Sequence, residues 1–127
     1  KDPALVKKVI FCSGKIYFDL AAKQEKEDRK DVALVRIEQL YPLPYRQLAA
    51  LYSRYNKAIW YWVQEEPLNM GAASFLQMNL NTGLRQLNLP EINYGVISRE
   101  SSASPATGFN KVHAQEQAEI IETAFSI

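Results

Sequence analysis

The sequence predicts an α/β fold with a mostly parallel sheet. Four short apolar runs alternate with four longer segments in which apolar residues recur at helical spacing, as in consecutive βα units. The 127 residues are 47% hydrophobic and 23% charged, which is typical of one ordinary globular domain. A chain of this length buries roughly two-thirds of its unfolded surface, enough to fold without disulfides or metal. We therefore expect a single domain over residues 1–127, without a repeat or linker.

The first unit begins with a strand from Lys8 to Ser13, and Gly14 then permits a tight turn. The following helix has an apolar stripe at helical spacing, made by Ile16, Tyr17, Leu20 and Ala21. Its charged tail, residues 23–30, alternates in sign, so we expect that tail to face solvent.

The second unit has a strand beginning at Val32. Pro42 and Pro44 then force an extended turn, and a helix is expected from about Tyr45. The buried face of this helix is predicted to consist of Leu48, Leu51, Tyr52 and Tyr55.

The third strand, residues 58–63, is aromatic and continuously apolar, which favours a central position covered on both faces. After Pro67, Gly71 and Ala72 open a helix, and Gly83 is expected to weaken its end. The inward residues of this helix are predicted to be Phe75, Leu76 and Leu80.

The fourth strand, residues 91–98, alternates enough to be more exposed. One of its faces carries Ile92, Tyr94 and Val96. A loop of small residues, 101–108, leads into a closing helix whose apolar residues are Val112, Ile120, Ile121, Ala124 and Phe125.

Polar residues follow these strands where the carboxyl ends of a parallel sheet form a crevice, the usual place for ligands and partners. The crevice candidates are Arg36, Glu38, Gln64, Glu65, Glu66 and Arg99. Adjacent strand residues point to opposite faces, so Glu65 and Glu66 converge on one substrate only if the strand has already ended. Hydrogen bonding at a loop and helix entry is the simpler interpretation for this pair. For the two arginines, we favour charge pairing at an interface.

Several functions are disfavoured by composition. A net charge of +1 provides no strong field for nucleic acid or an anionic membrane, and no apolar run reaches the ~18 residues that span a bilayer. Cys12, the single cysteine, lies in an apolar run and is read as a buried hydrophobe in a reducing compartment. The chain starts at Lys1 without a methionine, which favours an excerpt from a longer polypeptide.

No self-contained catalytic site is visible in the sequence. One cysteine and one histidine, His113, match no metal-ligand spacing, and this histidine is expected to be a polar surface residue. The run 13–15 (Ser-Gly-Lys) resembles an anion cradle only weakly, because it lacks the other glycines of a phosphate loop. No nucleophile has an adjacent base. We therefore expect no catalytic, cofactor-binding or metal-binding residue in this chain. We expect the chain to be a binding or regulatory module.

Five runs together resemble the C-terminal domain of the decarboxylating component of 2-oxoglutarate dehydrogenase. They are Cys12-Ser13-Gly14-Lys15, Arg36 to Pro44, Gln64 to Ala72, Ser102-Ala103-Ser104-Pro105-Ala106 and Val112 to Gln117. The resemblance covers essentially the whole chain, with the runs in the same order and at matching spacing. It is therefore more specific than any single motif.

The resemblance implies a three-layer α/β/α sandwich like the C-terminal domain of transketolase, with a mixed, mainly parallel sheet and an antiparallel edge strand. It implies a homodimeric enzyme that holds thiamine diphosphate and Mg²⁺ between two upstream domains. That enzyme oxidatively decarboxylates 2-oxoglutarate in the tricarboxylic acid cycle and passes a succinyl group to a lipoyl-bearing succinyltransferase. In bacterial cytoplasm or the mitochondrial matrix, this domain would serve assembly and regulation and be inactive alone.

The resemblance also implies a regulatory site, because some relatives bind acetyl-CoA through a glutamine and two consecutive arginines. By position these match Gln39, Arg46 and Gln47. The second arginine is therefore a glutamine in this chain, which removes one charge from a site for a phosphate-rich ligand. The remainder of that pocket would lie upstream.

Two alternatives stay open on the sequence. A free-standing flavodoxin-like or receiver-like module would bind an anion or nucleotide, and would carry a clustered acidic pocket or a glycine-rich flavin loop. A C-terminal domain of another thiamine enzyme, such as pyruvate or branched-chain oxoacid dehydrogenase, would share the architecture without these motifs.

Overall fold

The chain alternates strictly between strands and helices in a computed structural model that describes residues 2–99 and 110–126. The strands are β1 (Lys8–Cys12), β2 (Val32–Arg36), β3 (Ile59–Pro67) and β4 (Tyr94–Arg99). The helices are α1 (Ile16–Glu27), α2 (Tyr45–Arg54), α3 (Ala73–Gln86) and α4 (Asn110–Phe125). The four predicted βα units are therefore confirmed. The predicted small-residue loop, 101–108, lies outside the described residues.

The four strands form one sheet in the order β2-β1-β3-β4, and every neighbouring pair is parallel. Ile10 of β1 lies beside Leu34 of β2 on one side and beside Tyr61 of β3 on the other. β1 and β3 are thus the central strands, as the continuous apolar character of β3 predicted. Within the described residues the sheet is purely parallel, so the antiparallel edge strand implied by the resemblance is not among them.

Alternation along the strands produces two separate cores, one on each face of the sheet. Phe11 belongs to the core under α2 and α3, whereas its neighbour Ile10 belongs to the core under α1 and α4. The α2/α3 core also contains Leu48, Leu76, Leu80 and Leu84, and the α1/α4 core contains Ile16, Leu20, Ile120 and Ala124. The architecture is an α/β/α sandwich.

The α2/α3 core is built around aromatic rings. Phe11 makes edge contacts with Trp60, Trp62 and Tyr94, at centroid distances of 5.4 to 5.5 Å. Such contacts add about 0.5–1.5 kcal/mol each beyond the area they bury. Ile92, Tyr94 and Val96 all contribute to this core, as predicted, although β4 begins at Tyr94 and not at residue 91.

Strand β3 is longer than predicted. It continues through residues 64–66 to Pro67, with an irregular register between Val63 and Pro67 against β4. Gln64, Glu65 and Glu66 therefore lie in a strand and not in the loop that was expected.

Gly83, which was expected to weaken the end of α3, lies in the last turn of that helix. The helix continues to Gln86, and Gly83 is buried against the ring of Tyr45 from α2. A Cβ atom at this position would lie within 2.6 Å of three side-chain atoms of Tyr45. The glycine is used for close approach of two helices, which a propensity argument does not detect.

Candidate functional site

Gln64 is the centre of the polar cluster at the carboxyl end of β3. Its residue exposure is only 3%, and its side-chain oxygen accepts hydrogen bonds from Trp62 Nε1 and the Ala73 amide, both at 2.9 Å. Its amide nitrogen donates to three main-chain carbonyls of the following turn, those of Glu66, Pro67 and Met70. Gln64 therefore fixes the turn and the first residue of α3, and its hydrogen-bonding capacity is used within the chain.

The same turn requires a glycine at position 71. Gly71 has a φ of +66°, which is unfavourable for other residues. A Cβ atom there would lie 3.1 Å from Glu66 Oε1 and 3.2 Å from Gln64 Oε1. The turn that follows β3, residues 68–72, is thus structural and positions the start of α3.

Glu65 and Glu66 have different surroundings, because adjacent residues of a strand point to opposite faces. The Glu65 side chain is largely buried and lies 3.9 Å from Lys15 Nζ, after β1. Glu66 is exposed and lies beside Gly71. The pair does not converge on a common point.

Arg36 is the last residue of β2, an edge strand of the sheet, and lies against two aromatic rings of α1. Its guanidinium carbon is 5.3 Å from the Tyr17 ring centroid and 4.9 Å from that of Phe18. Arg36 Nε is 3.6 Å from a carboxylate oxygen of Glu38. Phe18 is 59% exposed, so this edge presents an aromatic and cationic surface.

Arg99 does not join Arg36 or the β3 glutamates. Its side chain is almost fully buried, and its Nε lies 3.2 Å from Glu116 Oε2 of α4. The carbonyl of Arg99 accepts a hydrogen bond from the Leu68 amide at 3.0 Å. Arg99 therefore ties β4 to α4 and to the turn after β3. The six predicted crevice residues therefore do not form one site. Some of them bond within the chain, and the others lie at the exposed edge.

Cys12 is buried at the end of β1, as predicted. Burial raises the pKa of its thiol to about 12, and the nearby Arg36 charge opposes that rise only partly. The thiol is therefore protonated at neutral pH, which makes it a poor nucleophile.

The residues matched to the regulatory site lie at the turn before α2. Gln39 is exposed and donates from Nε2 to the Tyr41 carbonyl at 3.0 Å. Arg46 and Gln47, in the first turn of α2, are also exposed. Arg46 and Gln47 line an open depression of about 300 Å³, together with Leu43, Pro44, Tyr45 and Leu87.

Potential metal ligands are scattered over the residues that the structure describes. No cluster of three potential metal-binding His, Cys, Asp or Glu residues occurs among them. Glu38 and Glu65 face arginine and lysine respectively. His113 lies in α4, with its side chain outside the described part.

The residues that hold the end of α4 were not among those predicted from the sequence. Lys8 of β1 donates to the Ser126 carbonyl at 2.7 Å, and Arg29 donates to the Phe125 carbonyl at 2.8 Å. Burial lowers the pKa of Lys8, and the neighbouring Arg29 charge lowers it further. A lysine inside the first apolar strand was the available signal, because a buried cation needs acceptors.

The fold and the crevice define a class of protein: a parallel α/β/α sandwich domain in which the polar residues at the carboxyl edge mainly bind one another and the following turns. None of the helices in the described ranges is both long and apolar enough to cross a bilayer.

Comparison with known proteins identifies the family. A family model described as 2-oxoglutarate dehydrogenase C-terminal matches residues 1–125. The multifunctional 2-oxoglutarate metabolism enzyme of Mycolicibacterium vanbaalenii is 46% identical over 98% of this chain. The 2-oxoglutarate dehydrogenase E1 components of Azotobacter vinelandii and Haemophilus influenzae are 39% and 38% identical over 99% and 98% of it. This chain belongs to the 2-oxoglutarate dehydrogenase C-terminal family.

The match covers only a small part of each relative. The chain spans 10% of the Mycolicibacterium protein and 13% of each of the two E1 components. The rest of each relative lies outside the match.

Proposed function

We propose that this chain is the C-terminal structural and regulatory domain of a thiamine-diphosphate-dependent 2-oxoglutarate dehydrogenase. The observation that carries the proposal is the family match over residues 1–125, together with relatives that bear this name at 38–39% identity. The full enzyme would be a homodimer in the bacterial cytoplasm, since these relatives are bacterial. It would decarboxylate 2-oxoglutarate in the tricarboxylic acid cycle and pass the succinyl group to a lipoyl-bearing succinyltransferase.

In this proposal the domain contributes packing and not chemistry. Gln64, Gly71 and Arg99 supply the rigid frame that joins β3, β4, α3 and α4. The exposed edge at Arg36, Glu38 and Glu66 is left for contact with other parts of the enzyme. Opposite charges at such an edge favour one orientation over others more than they add affinity.

The test begins with the mass of the native polypeptide, detected in source cells with an antibody to this domain. We expect a mass several times the 14.5 kDa of this chain. The purified polypeptide should then decarboxylate 2-oxoglutarate only when thiamine diphosphate and Mg²⁺ are supplied. A native mass near 14.5 kDa would refute the proposal and favour a free-standing anion- or nucleotide-binding module.

A regulatory role for acetyl-CoA is a second proposal, favoured by the depression beside α2. Arg46 and Gln47 line it and are solvent-accessible, and Gln39 lies on the loop that precedes it. Since Gln47 carries no charge, we expect weaker activation than two consecutive arginines would give.

The experiment compares acetyl-CoA activation in variants of the full-length enzyme. Arg46→Ala should abolish the activation, whereas Gln47→Arg should reduce the acetyl-CoA concentration needed for it by roughly tenfold, as one charge-assisted hydrogen bond provides. Arg54→Ala, at the other end of the same helix, is the matched control and should respond as the parent enzyme does. An unchanged response in Arg46→Ala would end this proposal.

A further inference from the structure

The first residue of β3 is an exposed apolar side chain in the middle of the sheet. Ile59 is 61% exposed, although β3 has β1 on one side and β4 on the other. The first residues of β1 and β2, Lys8 and Val32, are both buried. Because strands of a parallel sheet are normally covered on both faces, an exposed isoleucine at this position marks a gap in the helical cover.

The gap lies on the face of the sheet that α1 and α4 cover. Trp60 belongs to the α2/α3 core, and adjacent strand residues point to opposite faces, so Ile59 faces the α1/α4 layer. Ile59 pairs with Lys8, whose ammonium group donates to the Ser126 carbonyl, just beyond the end of α4, at 2.7 Å. The end of α4 is therefore held at Lys8, and within the described part of the chain it leaves Ile59 exposed.

The beginning of the chain lies at the same edge of the sheet as Ile59. The Lys7 carbonyl accepts a hydrogen bond from the Ile59 amide at 3.0 Å, and Leu5, two residues before Lys7, is 53% exposed. Two residues of chain span at most about 7 Å, so Leu5 lies close to this hydrogen bond. We call Leu5 and Ile59 the entry surface. Two large apolar side chains exposed at one edge differ from the singly scattered hydrophobic residues of an ordinary surface.

The turn that leads to Leu5 is fixed by hydrogen bonds. Asp2 Oδ1 accepts from the Ala4 amide at 2.9 Å, and the Asp2 carbonyl accepts from the Leu5 amide at 3.1 Å. Pro3 lies inside this turn and restricts its backbone further. An ordered turn sets the direction in which the preceding polypeptide leaves the domain, which a flexible linker does not.

We propose that the entry surface is covered, in the full-length protein, by the residues immediately before Lys1. The proposal rests on the proposed function, in which this domain follows the rest of the enzyme. The family model is described as C-terminal, and the chain spans 10% of one relative and 13% of another.

Chain connectivity selects this segment over the rest of the polypeptide. Ten residues of chain reach at most about 35 Å, so the last ten before Lys1 must lie near the entry surface whatever the arrangement of the upstream domains. Covering Leu5 and Ile59 requires apolar side chains in that segment. The joint between this domain and the upstream part of the enzyme is then a packed contact.

The first experiment identifies the covering segment directly. A photoreactive benzophenone amino acid is placed at position 59 of the full-length enzyme, and the peptide cross-linked on irradiation is identified by mass spectrometry. We expect that peptide to come from the roughly ten residues before Lys1. The same amino acid at position 118, an exposed position of α4, is the matched control and should not form this cross-link.

The second experiment measures how well the entry surface is covered. Ile59→Cys and the control Ala118→Cys are treated with a maleimide in the full-length enzyme, and the rate is read for each peptide by mass spectrometry. We expect the Ile59→Cys peptide to react about tenfold more slowly, because a covered thiol reacts only when its cover opens. Both peptides should react equally fast in denaturant. Should Ile59→Cys fail to fold, Leu5→Cys reports on the same surface.

Each other outcome overturns the proposal. Equally fast labelling at the two positions in the native enzyme would show that the entry surface is uncovered. A cross-link to a more distant part of the polypeptide, to an isotope-labelled second copy or to added succinyltransferase would assign the surface to a different occupant, and the absence of any cross-link would leave it without one. A native mass near 14.5 kDa refutes the proposed function itself, whereas a large mass with fast labelling refutes only this contact.

Discussion

The two helical layers pack on the same sheet by different means. Helices α1 and α4 bury an apolar core against the sheet and are also joined to each other and to the sheet by polar bonds, among them Lys23 to Glu122 and Lys8 to the Ser126 carbonyl. Helices α2 and α3 are held by aromatic and aliphatic packing, with the Tyr45 ring against Gly83 and Tyr52 against Trp60 at 5.3 Å. The buried polar group of the second layer is Gln64, which is saturated with hydrogen bonds.

The polar groups of the two layers therefore differ in how much they contribute to the stability of the domain. Exposed ion pairs typically contribute about 0–1 kcal/mol each, so the α1/α4 layer tolerates their loss one at a time. A buried amide that satisfies several groups cannot be removed without leaving them unpaired, so the α2/α3 layer should be the more sensitive of the two. The following substitutions test that ranking, each in the full-length protein, with local stability measured by hydrogen exchange of the β3 amides.

The largest effect is expected for Gln64→Leu. The change leaves the Trp62 indole, the Ala73 amide and three carbonyls without their partner, at about 1–3 kcal/mol per buried group and with non-additive sums. We expect a loss on the order of 3–4 kcal/mol. Gln39→Leu, at an exposed glutamine, should change stability by no more than about 0.5 kcal/mol. Equal effects of the two substitutions would contradict the structural role of Gln64.

A smaller effect is expected for Gly83→Ala. The new methyl group would overlap the Tyr45 ring and force α2 away from α3, at a cost of about 2 kcal/mol. Adding Tyr45→Leu to the same chain should recover part of that loss of stability, because it removes the ring that the methyl group overlaps. If the loss came from helix propensity, the second substitution would not recover it.

Gly14→Ala is the control for Gly83→Ala. No atom lies within 4 Å of the position its Cβ would take, but its φ is +79°, so only backbone strain of about 1 kcal/mol applies. Full stability of Gly83→Ala would refute the close-approach interpretation.

The smallest effect is expected in the α1/α4 layer, for Arg29→Leu. Arg29 bonds to Asp31 at 2.9 Å and to the Phe125 carbonyl, and its loss should cost about 1 kcal/mol at pH 7. Lys30→Leu removes an exposed ion pair with Asp28 at 3.9 Å and should have no measurable effect. A loss from Arg29→Leu greater than that from Gln64→Leu would reverse the ranking of the layers.

The Arg29 effect should also depend on pH. The hydrogen bond from Arg29 holds the pKa of Asp31 below its usual value in the folded state. The stability from this pair is therefore present above the unfolded pKa of about 3.9 and is lost as the pH falls through the lower folded pKa. The difference between Arg29→Leu and the parent should narrow below about pH 4.

Most elements could be predicted because their signals are local. Strands β1 and β2 and helices α1 and α2 begin within a residue or two of the predicted positions, since apolar spacing, Gly14 and the prolines at 42 and 44 act on the chain nearby. The extension of β3 through Gln64, Glu65 and Glu66 was missed because polar residues normally mark the end of a strand. The residues on either side of this stretch, Val63 and Pro67, pair with Ile97 and Arg99 of β4, more than thirty residues further along the chain.

The sequence by itself determined the order of the βα units, the parallel direction of the sheet and, through its motifs, the family, because each depends on patterns along the chain. Tertiary structure alone decided that Gln64 bonds inward, that Arg99 meets Glu116 and not the other crevice charges, and that Gly83 admits the Tyr45 ring. It also brought Lys8 to the Ser126 carbonyl, 118 positions away. A side chain's partner depends on which elements packing brings together, and periodicity does not encode that.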